Sequence, residues 1–372
     1  MLPTLNRRQW LKTAGTTLAA AALSSRLDLR AQHEVDRATQ RAEPVRINGN
    51  ENPFGPSQAA TMALMQGMEK ICRYPFAETV QLKELIAAKE GCSVDNIVLG
   101  VGSGEVLATI GHYYGRLKGE IIAAQPGYLQ LVNVAESEGS KTVWVPVNKK
   151  LEHDLPAMAA KVGANTSLVY ICNPNNPTGT VVNAAELKEF VKTVSPKAPV
   201  FVDEAYLDCA DDYAGQTCVS LVNEGHNVIV TRTFSKIYGM AGLRIGYGIM
   251  PAATVKAIKG IATGSMSMTA VLSASASLQD APYVADTRAK IKAGRDALVA
   301  VVKGLGKEYA EPQGNFVFLK TGMPISMFAE KMKAAGVLVA RPFPPMLDWA
   351  RICIGLPEEM EICHAALKKV LA

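Results

Sequence analysis

Residues 167–179 read Ser-Leu-Val-Tyr-Ile-Cys-Asn-Pro-Asn-Asn-Pro-Thr-Gly, an apolar run that passes directly into a polar turn. Val, Ile and Tyr side chains favour a strand, whereas Asn, Pro and Gly favour the turn that follows it. The run does not alternate polar with apolar residues, which is typical of a strand covered on both faces. The segment therefore predicts a buried strand that ends in a group of polar side chains.

The same pattern recurs along the first two-thirds of the chain, where strand-like runs are separated by segments with helical periodicity. We predict strands at 96–100, 120–124, 142–147, 167–172, 200–202, 228–231 and 245–250, and helices near 105–115, 128–138, 155–162 and 184–194. Strands and helices that alternate in this order predict an α/β fold with a doubly wound, mostly parallel sheet. Ligands of such sheets bind beyond the carboxyl ends of the strands, so the residues that follow the strands are the candidates for a functional site.

The sequence changes character after residue 264, where a segment rich in Ser, Ala and Met leads into a long helical stretch. Beyond that point we predict helices at 282–304, at 324–335 and at the C-terminus, and strands at 315–319, 337–340 and 351–354. This mixture predicts a large domain at 57–264 and a smaller α+β domain at 265–372.

The N-terminus resembles an export signal. Arg7 and Arg8 precede an alanine-rich, mildly apolar run at 13–23 that is too short to span a bilayer. Adjacent arginines before such a run resemble the bacterial twin-arginine signal, which predicts a periplasmic protein. We assign 1–30 to the signal and 31–56 to a linker and N-terminal arm; an uncleaved membrane anchor is the alternative, since no clean cleavage site follows. A reporter fused to residues 1–40 that stayed in the cytoplasm would contradict export.

Charge and composition argue against several classes of function. The net charge is +5, but four positive charges lie in the first 27 residues, which hold no acid, so the remainder carries about +1. A nearly neutral body disfavours binding to nucleic acid, and we expect no membrane partner beyond the export machinery. The seven cysteines form no Cys-x-x-Cys pair and the five histidines lie far apart, so we predict neither a disulfide framework nor a metal site.

Polar groups follow four of the predicted strands. A glycine-rich turn at 100–104 opens a helix, where backbone N–H groups favour an anion. Asn176-Pro-Thr-Gly179, Asp203-Glu-Ala-Tyr206 and Thr233-Phe-Ser-Lys236 follow three other strands. An amine, an acid, hydrogen-bond donors and a phosphate cradle at one sheet edge are what a pyridine aldehyde phosphate requires. Taken singly, the aspartate could cap a turn, Tyr206 could be a core residue, and the lysine could be an ordinary surface residue.

The motifs in combination resemble the class I/II aminotransferase family, especially its histidinol-phosphate aminotransferase-like branch. They are Asn48-Gly-Asn-Glu-Asn-Pro-Phe-Gly-Pro56, Asn176-Pro-Thr-Gly179, Asp203-Glu-Ala-Tyr206, Ser235-Lys236 and Arg244, eight residues after the lysine. The resemblance extends from about Asn48 to the C-terminus. It implies the fold type I architecture of pyridoxal-phosphate enzymes and the exchange of an amino group between an amino acid, or a related amine, and a 2-oxo acid.

The resemblance also implies how pyridoxal 5'-phosphate would be held. Lys236 would form a Schiff base with the cofactor and carry protons, helped by burial and the nearby Arg244, which would lower its pKa. Asp203 would pair with the pyridine nitrogen and keep it protonated. The phenolic oxygen would be bound by Asn176 and Tyr206, the ring would stack on Tyr128, and the phosphate would be held by Ser103, Gly104, Thr233, Ser235 and Arg244.

Substrate and subunit contacts follow from the same resemblance. Arg351 matches the arginine that binds the substrate carboxylate. Arg341 lies where histidinol-phosphate enzymes hold the substrate phosphate, and a salt bridge at a domain interface is an equal alternative. Phe54 replaces a tyrosine that often contacts substrate in that branch, and the segment around Arg341 also departs from the branch, so histidinol phosphate is not the expected substrate. Tyr74 matches a tyrosine that reaches the phosphate from a second subunit, which implies a homodimer.

Other functions are alternatives to aminotransfer. The same residues could serve another pyridoxal-phosphate reaction, such as decarboxylation, elimination, racemisation or oxidation, because substrate orientation decides among them. A non-catalytic relative would not need the complete set around the lysine. A nicotinamide oxidoreductase built on the turn at 100–105 would need an acidic residue after the second strand, whereas 120–124 leads into Gln125-Pro126.

Overall fold

The computed structural model describes residues 43–261 and 264–372. The predicted signal at 1–30 and residues 31–42 of the predicted linker and arm lie outside these ranges. The strands are β1 (Val45–Arg46), β2 (Ile97–Gly100), β3 (Glu120–Gln125), β4 (Lys141–Pro146), β5 (Thr166–Cys172), β6 (Val200–Asp203), β7 (Val228–Thr233), β8 (Gly246–Ile249), β9 (Phe316–Lys320), β10 (Val337–Leu338) and β11 (Trp349–Cys353). The α-helices are α1 (Gln58–Gly67), α2 (Phe76–Glu90), α3 (Ser103–Gly115), α4 (Gln130–Ser137), α5 (Leu155–Lys161), α6 (Ala184–Val194), α7 (Tyr213–Gln216), α8 (Val219–Asn223), α9 (Ala252–Ala257), α10 (Met268–Leu278), α11 (Ala281–Gly304), α12 (Ile325–Ala334) and α13 (Pro357–Leu371).

The central sheet of the described residues has seven strands in the order β2-β8-β7-β6-β5-β3-β4. Neighbours from β7 to β4 pair in parallel, and β8 runs antiparallel between β7 and β2. Each of the seven predicted strands coincides with a strand of this sheet. The prediction of an α/β fold with a mostly parallel sheet is confirmed.

The sheet separates two apolar layers. Neighbouring residues on a strand point to opposite faces, so Ile121 and Ile122 of β3 lie in different core clusters, as do Leu168 and Val169 of β5. Helices α2, α6 and α10 contribute to one layer, and α3 and α4 to the other. Each such buried aliphatic side chain stabilises the fold by about 1.5–3 kcal/mol relative to an exposed one. The layers keep the strand ends, and the residues that follow them, in fixed positions.

Several helices begin and end at residues suited to that place. Ser57, Asp154 and Asn183 accept hydrogen bonds from N–H groups in the first turns of α1, α5 and α6. Such a cap stabilises a helix by about 1 kcal/mol. Gly91 ends α2 with a φ of 67°, a left-handed conformation that favours glycine.

The C-terminal third contains the predicted elements at nearly the predicted places. β9 and β11 pair antiparallel, and α11, α12 and α13 occupy the predicted helical stretches. Residues 46–372 form one compact unit, and the division at residue 264 stays a prediction. Within the described ranges, no helix combines the length and hydropathy of a bilayer-spanning segment.

Candidate active site

A cavity of about 350 Å³ lies beyond the carboxyl ends of the parallel strands. β6 delivers Asp203 to this edge and β7 delivers Thr233, because parallel strands end on the same side of a sheet. The predicted site residues that line the cavity are Ser103, Gly104, Tyr128, Asn176, Asp203, Tyr206, Thr233, Ser235, Lys236, Arg244, Arg341 and Arg351. The structure therefore brings together twelve side chains or turns that are spread over 250 residues of sequence.

Lys236 is the amine of the cavity. Its Nζ donates a hydrogen bond to the carbonyl of Asn50 at 2.9 Å and lies 5.3 Å from the centre of the Tyr206 ring. Burial and, to a smaller extent, the positive charge of Arg351 lower the pKa of Lys236 to about 8. The amine is thus neutral for part of the time near neutral pH, as a nucleophile and proton carrier must be.

The prediction that Arg244 supplies the charge that lowers the pKa of Lys236 is corrected. The contributing cation is Arg351. Arg244 instead donates a hydrogen bond to the carbonyl of Ala241 at 2.9 Å and packs against Gly102. A side chain at position 102 would collide with this guanidinium group, and the φ of 75° there also favours glycine.

Asp203 is a fully buried carboxylate on the cavity. Its Oδ1 accepts hydrogen bonds from the Thr231 hydroxyl at 2.9 Å and from the Ala205 N–H at 3.2 Å. Its Oδ2 has the Tyr170 hydroxyl at 3.4 Å, and no described cation forms a salt bridge with it. Burial raises the pKa of Asp203 to about 6. A cationic N–H beside this oxygen would restore the charged form, which is what a protonated pyridine nitrogen offers.

An anion cradle lies at the start of α3. The helix begins at Ser103, directly after Gly102. The Glu105 N–H donates to the Gly102 carbonyl at 3.2 Å, which leaves the N–H groups of Ser103 and Gly104 to bind an anion. Thr233 and Ser235 add two hydroxyl groups, which lie 3.0 Å apart, and Arg244 adds a guanidinium group on the same cavity. This donor set fits a phosphate group.

A chain of hydrogen bonds connects the remaining polar groups. Arg351 donates through Nη1 to Asn176 Oδ1 at 2.5 Å and through Nη2 to the carbonyl of Asn48 at 3.1 Å. Asn176 donates through Nδ2 to the hydroxyl of Tyr206 at 3.2 Å. Nε of Arg351 is buried without a hydrogen-bond partner in the described part of the chain. The guanidinium group is therefore oriented before any substrate arrives.

Three predicted residues have other surroundings. Arg341 is exposed, lies with its guanidinium carbon 4.7 Å from the centre of the Phe343 ring, and forms no salt bridge within 43–261 and 264–372. It lines the cavity rather than pairing at a domain interface. Phe54 packs beside the core under Lys290, and Tyr74 is 76% exposed just before α2, so neither lines the cavity of the single chain.

Sequence reasoning missed three residues with direct contacts in the site. Gln130 accepts from the Tyr128 hydroxyl and donates to the carbonyl of Gly104. Tyr170 approaches Asp203, and Asn50 contacts Lys236 and Tyr206. Asn50 stands in the motif at 48–56, which was a detectable signal, whereas Tyr170 has the sequence context of an ordinary core residue.

A cluster of buried charges lies next to the site. Arg232 Nη2 is 2.8 Å from Glu204 Oε2 and 3.6 Å from Glu90 Oε2, and Nη1 is 3.9 Å from Asp208 Oδ2. Arg232 and Glu204 are fully buried and are chain neighbours of Thr233 and Asp203, respectively. The ion pairs thus fix the ends of β6 and β7, which carry the cofactor-facing residues.

Comparison with known proteins agrees with this geometry. The family model described as aminotransferase class I and II matches residues 42–367. The chain belongs to this family. The histidinol-phosphate aminotransferase of Moorella thermoacetica is 34% identical to this aminotransferase over 91% of the chain and 88% of the relative's length. The enzyme of the same name from Akkermansia muciniphila is 35% identical over 88% of the chain and 90% of its own.

A solved structure gives the same assignment. The histidinol-phosphate aminotransferase from Sinorhizobium meliloti, in complex with pyridoxal-5'-phosphate, superposes on this aminotransferase with a TM-score of 0.78. It is 28% identical, and the alignment covers 88% of this chain and 91% of the other. The protein is a pyridoxal-phosphate-dependent aminotransferase, and the prediction of its reaction and cofactor is confirmed.

Residues of this chain suit both the ring of the cofactor and its phosphate. When bound, pyridoxal 5'-phosphate supplies an electron-accepting ring that stabilises negative charge on the carbon next to the transferred amine. Lys236 would supply the amine that binds the aldehyde and moves a proton, and Asp203 would place a negative charge beside the ring nitrogen. The cradle at Ser103 and Arg244 would bind the phosphate. These individual roles stay predictions.

Proposed function

We propose that this aminotransferase takes its amino group from an amino acid, or a related amine, that carries an acidic group, and passes it to a 2-oxo acid. Arg351 is the observation that carries the proposal. Its guanidinium group lines the cavity beside Lys236 and is held by Asn176 and Asn48, and its buried Nε has no hydrogen-bond partner among the described residues. A planar, pre-oriented guanidinium group is suited to a carboxylate, which it can bind with two parallel hydrogen bonds.

Arg341 supports a second acidic group on the donor. It is an exposed guanidinium group on the same cavity, so it can reach a phosphate or carboxylate at the outer end of a substrate. The relatives named histidinol-phosphate aminotransferases are consistent with a phosphate-bearing amine. Phe54 and the altered segment around Arg341 argue against histidinol phosphate itself as the expected donor.

A substrate panel tests this proposal. Purified enzyme is mixed with single donors, namely acidic amino acids, neutral amino acids and phosphorylated amino compounds including histidinol phosphate. Loss of the absorbance band of the lysine-bound cofactor measures amino transfer. We expect Arg341→Ala to lower kcat/KM about 10–100-fold for donors with a second anion and little for neutral ones. Arg351→Lys keeps the charge but loses the two-pronged geometry, so it should weaken every donor that has an α-carboxylate.

The same panel separates aminotransfer from other reactions. Each donor must yield its carbonyl product in an amount equal to the amino group transferred, namely a 2-oxo acid from an amino acid and a ketone from histidinol phosphate. Release of carbon dioxide or of free ammonia would instead identify a decarboxylase or lyase on this scaffold. Equal loss on all donors in Arg341→Ala would contradict a specific role for that residue.

We also propose that the protein is a homodimer that pairs through the segment at 58–80. Large apolar side chains are exposed together in this segment, namely Met62, Met65, Met68, Ile71, Tyr74, Phe76 and Val80. A monomer rarely exposes so continuous an apolar patch, which is typical of a surface covered by another subunit. Tyr74 lies within this patch, so pairing would explain why its side chain stands outside the cavity of its own chain.

Introducing a charge into the patch should separate the subunits. Met65→Glu is expected to shift the protein from dimer to monomer, because burial of the new carboxylate is unfavourable. Sedimentation velocity measures the change, and Leu117→Glu is the control, since Leu117 is a similarly exposed apolar residue outside the patch. A wild-type protein that sediments as a monomer at micromolar concentration would contradict the proposal.

Export to the periplasm is a separate proposal. It is supported by Arg7 and Arg8 ahead of the short apolar run at 13–23. The twin-arginine pathway is suited to a protein that must bind its cofactor before transport. These residues lie outside the described ranges, so the reporter fusion tests the proposal independently of catalysis.

A further inference from the structure

Asn50, in the N-terminal arm, joins three parts of the active site. Its side-chain Nδ2 donates to the Tyr206 hydroxyl at 2.9 Å, and its backbone carbonyl accepts from Lys236 Nζ at 2.9 Å. Its Oδ1 accepts from the thiol of Cys353 at 2.9 Å, and its backbone N–H donates to the same sulfur at 3.1 Å. Asn50 is 1% exposed and has a φ of 52°.

The conformation and the contacts together explain the choice of residue. Asparagine tolerates the left-handed region better than most residues other than glycine. The Cys353 thiol fixes which end of the amide is the acceptor, because it donates to Oδ1. Nδ2 must then face Tyr206, so the side chain presents a donor to that hydroxyl and not an acceptor.

The hydrogen bonds of the Tyr206 hydroxyl can be counted. A phenolic oxygen has one hydrogen to donate and two lone pairs that accept. Asn50 Nδ2 and Asn176 Nδ2 occupy both acceptor positions, at 2.9 and 3.2 Å. The hydroxyl hydrogen is then free only to donate, and the cavity is the open side available to it.

We propose that Asn50 is a positioning residue that fixes the Tyr206 hydroxyl as a donor to the phenolic oxygen of the cofactor. Through its carbonyl it also holds the Lys236 amine beside the Tyr206 ring. A hydrogen bond donated to the phenolic oxygen stabilises its anionic form. Through Tyr206, Asn50 therefore lowers the pKa of the nitrogen that joins Lys236 to the cofactor. The inference rests on pyridoxal-phosphate binding and is independent of the substrate proposed above.

The substitution Asn50→Asp tests this directly in the holoenzyme. Aspartate keeps the shape of asparagine and keeps an oxygen that accepts from the Cys353 thiol. A carboxylate oxygen replaces the Nδ2 donor that faces Tyr206, so the Tyr206 hydroxyl is drawn away from the cofactor. We expect the pH midpoint of the absorbance band of the lysine-bound cofactor to rise by about one pKa unit or more. We also expect the dissociation constant for pyridoxal 5'-phosphate, measured by tryptophan fluorescence of the apoprotein, to rise several-fold.

A double-mutant cycle separates positioning from a general effect of charge or packing. In the Tyr206→Phe background, Asn50→Asp should shift the midpoint much less than in the wild type, since no hydroxyl remains to be redirected. Asn52→Asp adds the same charge to the same arm, at a residue that donates to the carbonyl of Ile237, and should leave the midpoint near its wild-type value. Equal shifts with and without the Tyr206 hydroxyl would overturn the proposal.

A second variant guards against failure to fold. Asn50→Gly accepts the left-handed backbone and removes the donor without adding charge. It should raise the midpoint in the wild type and leave it unchanged in the Tyr206→Phe background. No shift in the wild-type background would refute the role of Asn50. None of these measurements uses an amino donor, so a wrong substrate assignment would leave them intact.

Discussion

Replacing Lys236 with Ala is expected to reduce turnover by at least about 10⁴-fold and to abolish covalent attachment of the cofactor. The amine is the only described lysine that lines the cavity, and burial lowers its pKa to about 8. The variant loses both the nucleophile that binds the aldehyde and the base that moves the proton. Loss of two functions from one atom explains the size of the effect.

Two measurements check this expectation. Borohydride reduction followed by peptide mass spectrometry should find the cofactor mass on residue 236 of the wild type and nowhere in the variant. Lys292→Ala is the control, because Lys292 pairs with Asp296 on the surface of α11 and should leave turnover unchanged. A cofactor adduct on another lysine of the wild type would refute the assigned role of Lys236.

Replacing Asp203 with Asn should lower kcat by about 10²–10³-fold, with a much smaller loss of cofactor affinity. The change keeps the shape of the side chain but removes the negative charge assigned to the ring nitrogen. The phosphate cradle and Lys236 should still bind the cofactor, so the variant should lose mainly the rate of the chemical step. Single-turnover rates and the cofactor dissociation constant separate the two effects, and Asp286→Asn on the exposed face of α11 is the control. Equal losses in rate and in affinity would contradict this division.

The effect of Asp203→Asn on the stability of the apoprotein should depend on pH. The pKa of the Asp203 carboxyl is about 6 in the fold against 3.8 ordinarily, so its charged form is disfavoured by burial. Below about pH 3 the carboxyl is protonated in both states and costs nothing; as the pH rises from 3.8 through 6, the cost grows to about 3 kcal/mol. Asp203→Asn should therefore gain stability relative to the wild type between pH 4 and 7, by denaturant titration. Saturating cofactor should reduce that gain, and a constant difference across this range would show that Asp203 does not titrate as described.

The strands of the central sheet can be predicted from the sequence because they are short apolar runs with polar turns at their ends. Residues 167–179 illustrate this, since burial on both faces removes the alternation that an exposed strand would show. The polar residues at the strand ends were then identified as site candidates, because the topology sends parallel strand ends to one edge. Twelve of the fourteen candidates line one cavity; the strand ends of the central sheet account for most of them, whereas Arg341 and Arg351 come from the C-terminal third.

Contacts between distant segments could not be obtained in this way. Asn50 and Cys353 are 303 residues apart, and nothing in either local sequence indicates that a thiol orients the amide. Arg351, rather than Arg244, lowers the pKa of Lys236, because the arrangement of guanidinium groups in the cavity depends on the paths of the loops. Tyr74 illustrates a third case, in which the surroundings of a side chain depend on a subunit interface that one chain does not contain.

The cluster around Arg232 restricts how this enzyme can be altered, by selection or by design. Removing Glu204 alone would leave the buried Arg232 guanidinium group with fewer carboxylate partners. Breaking a buried ion pair in this way lowers the free energy of unfolding by about 3–5 kcal/mol. Exchanging Arg232 and its carboxylate partners together for apolar residues of similar volume can be far less damaging. We therefore expect accepted substitutions at positions 90, 204, 208 and 232 to occur in combination, so that single-site libraries covering these positions will return almost no active clones.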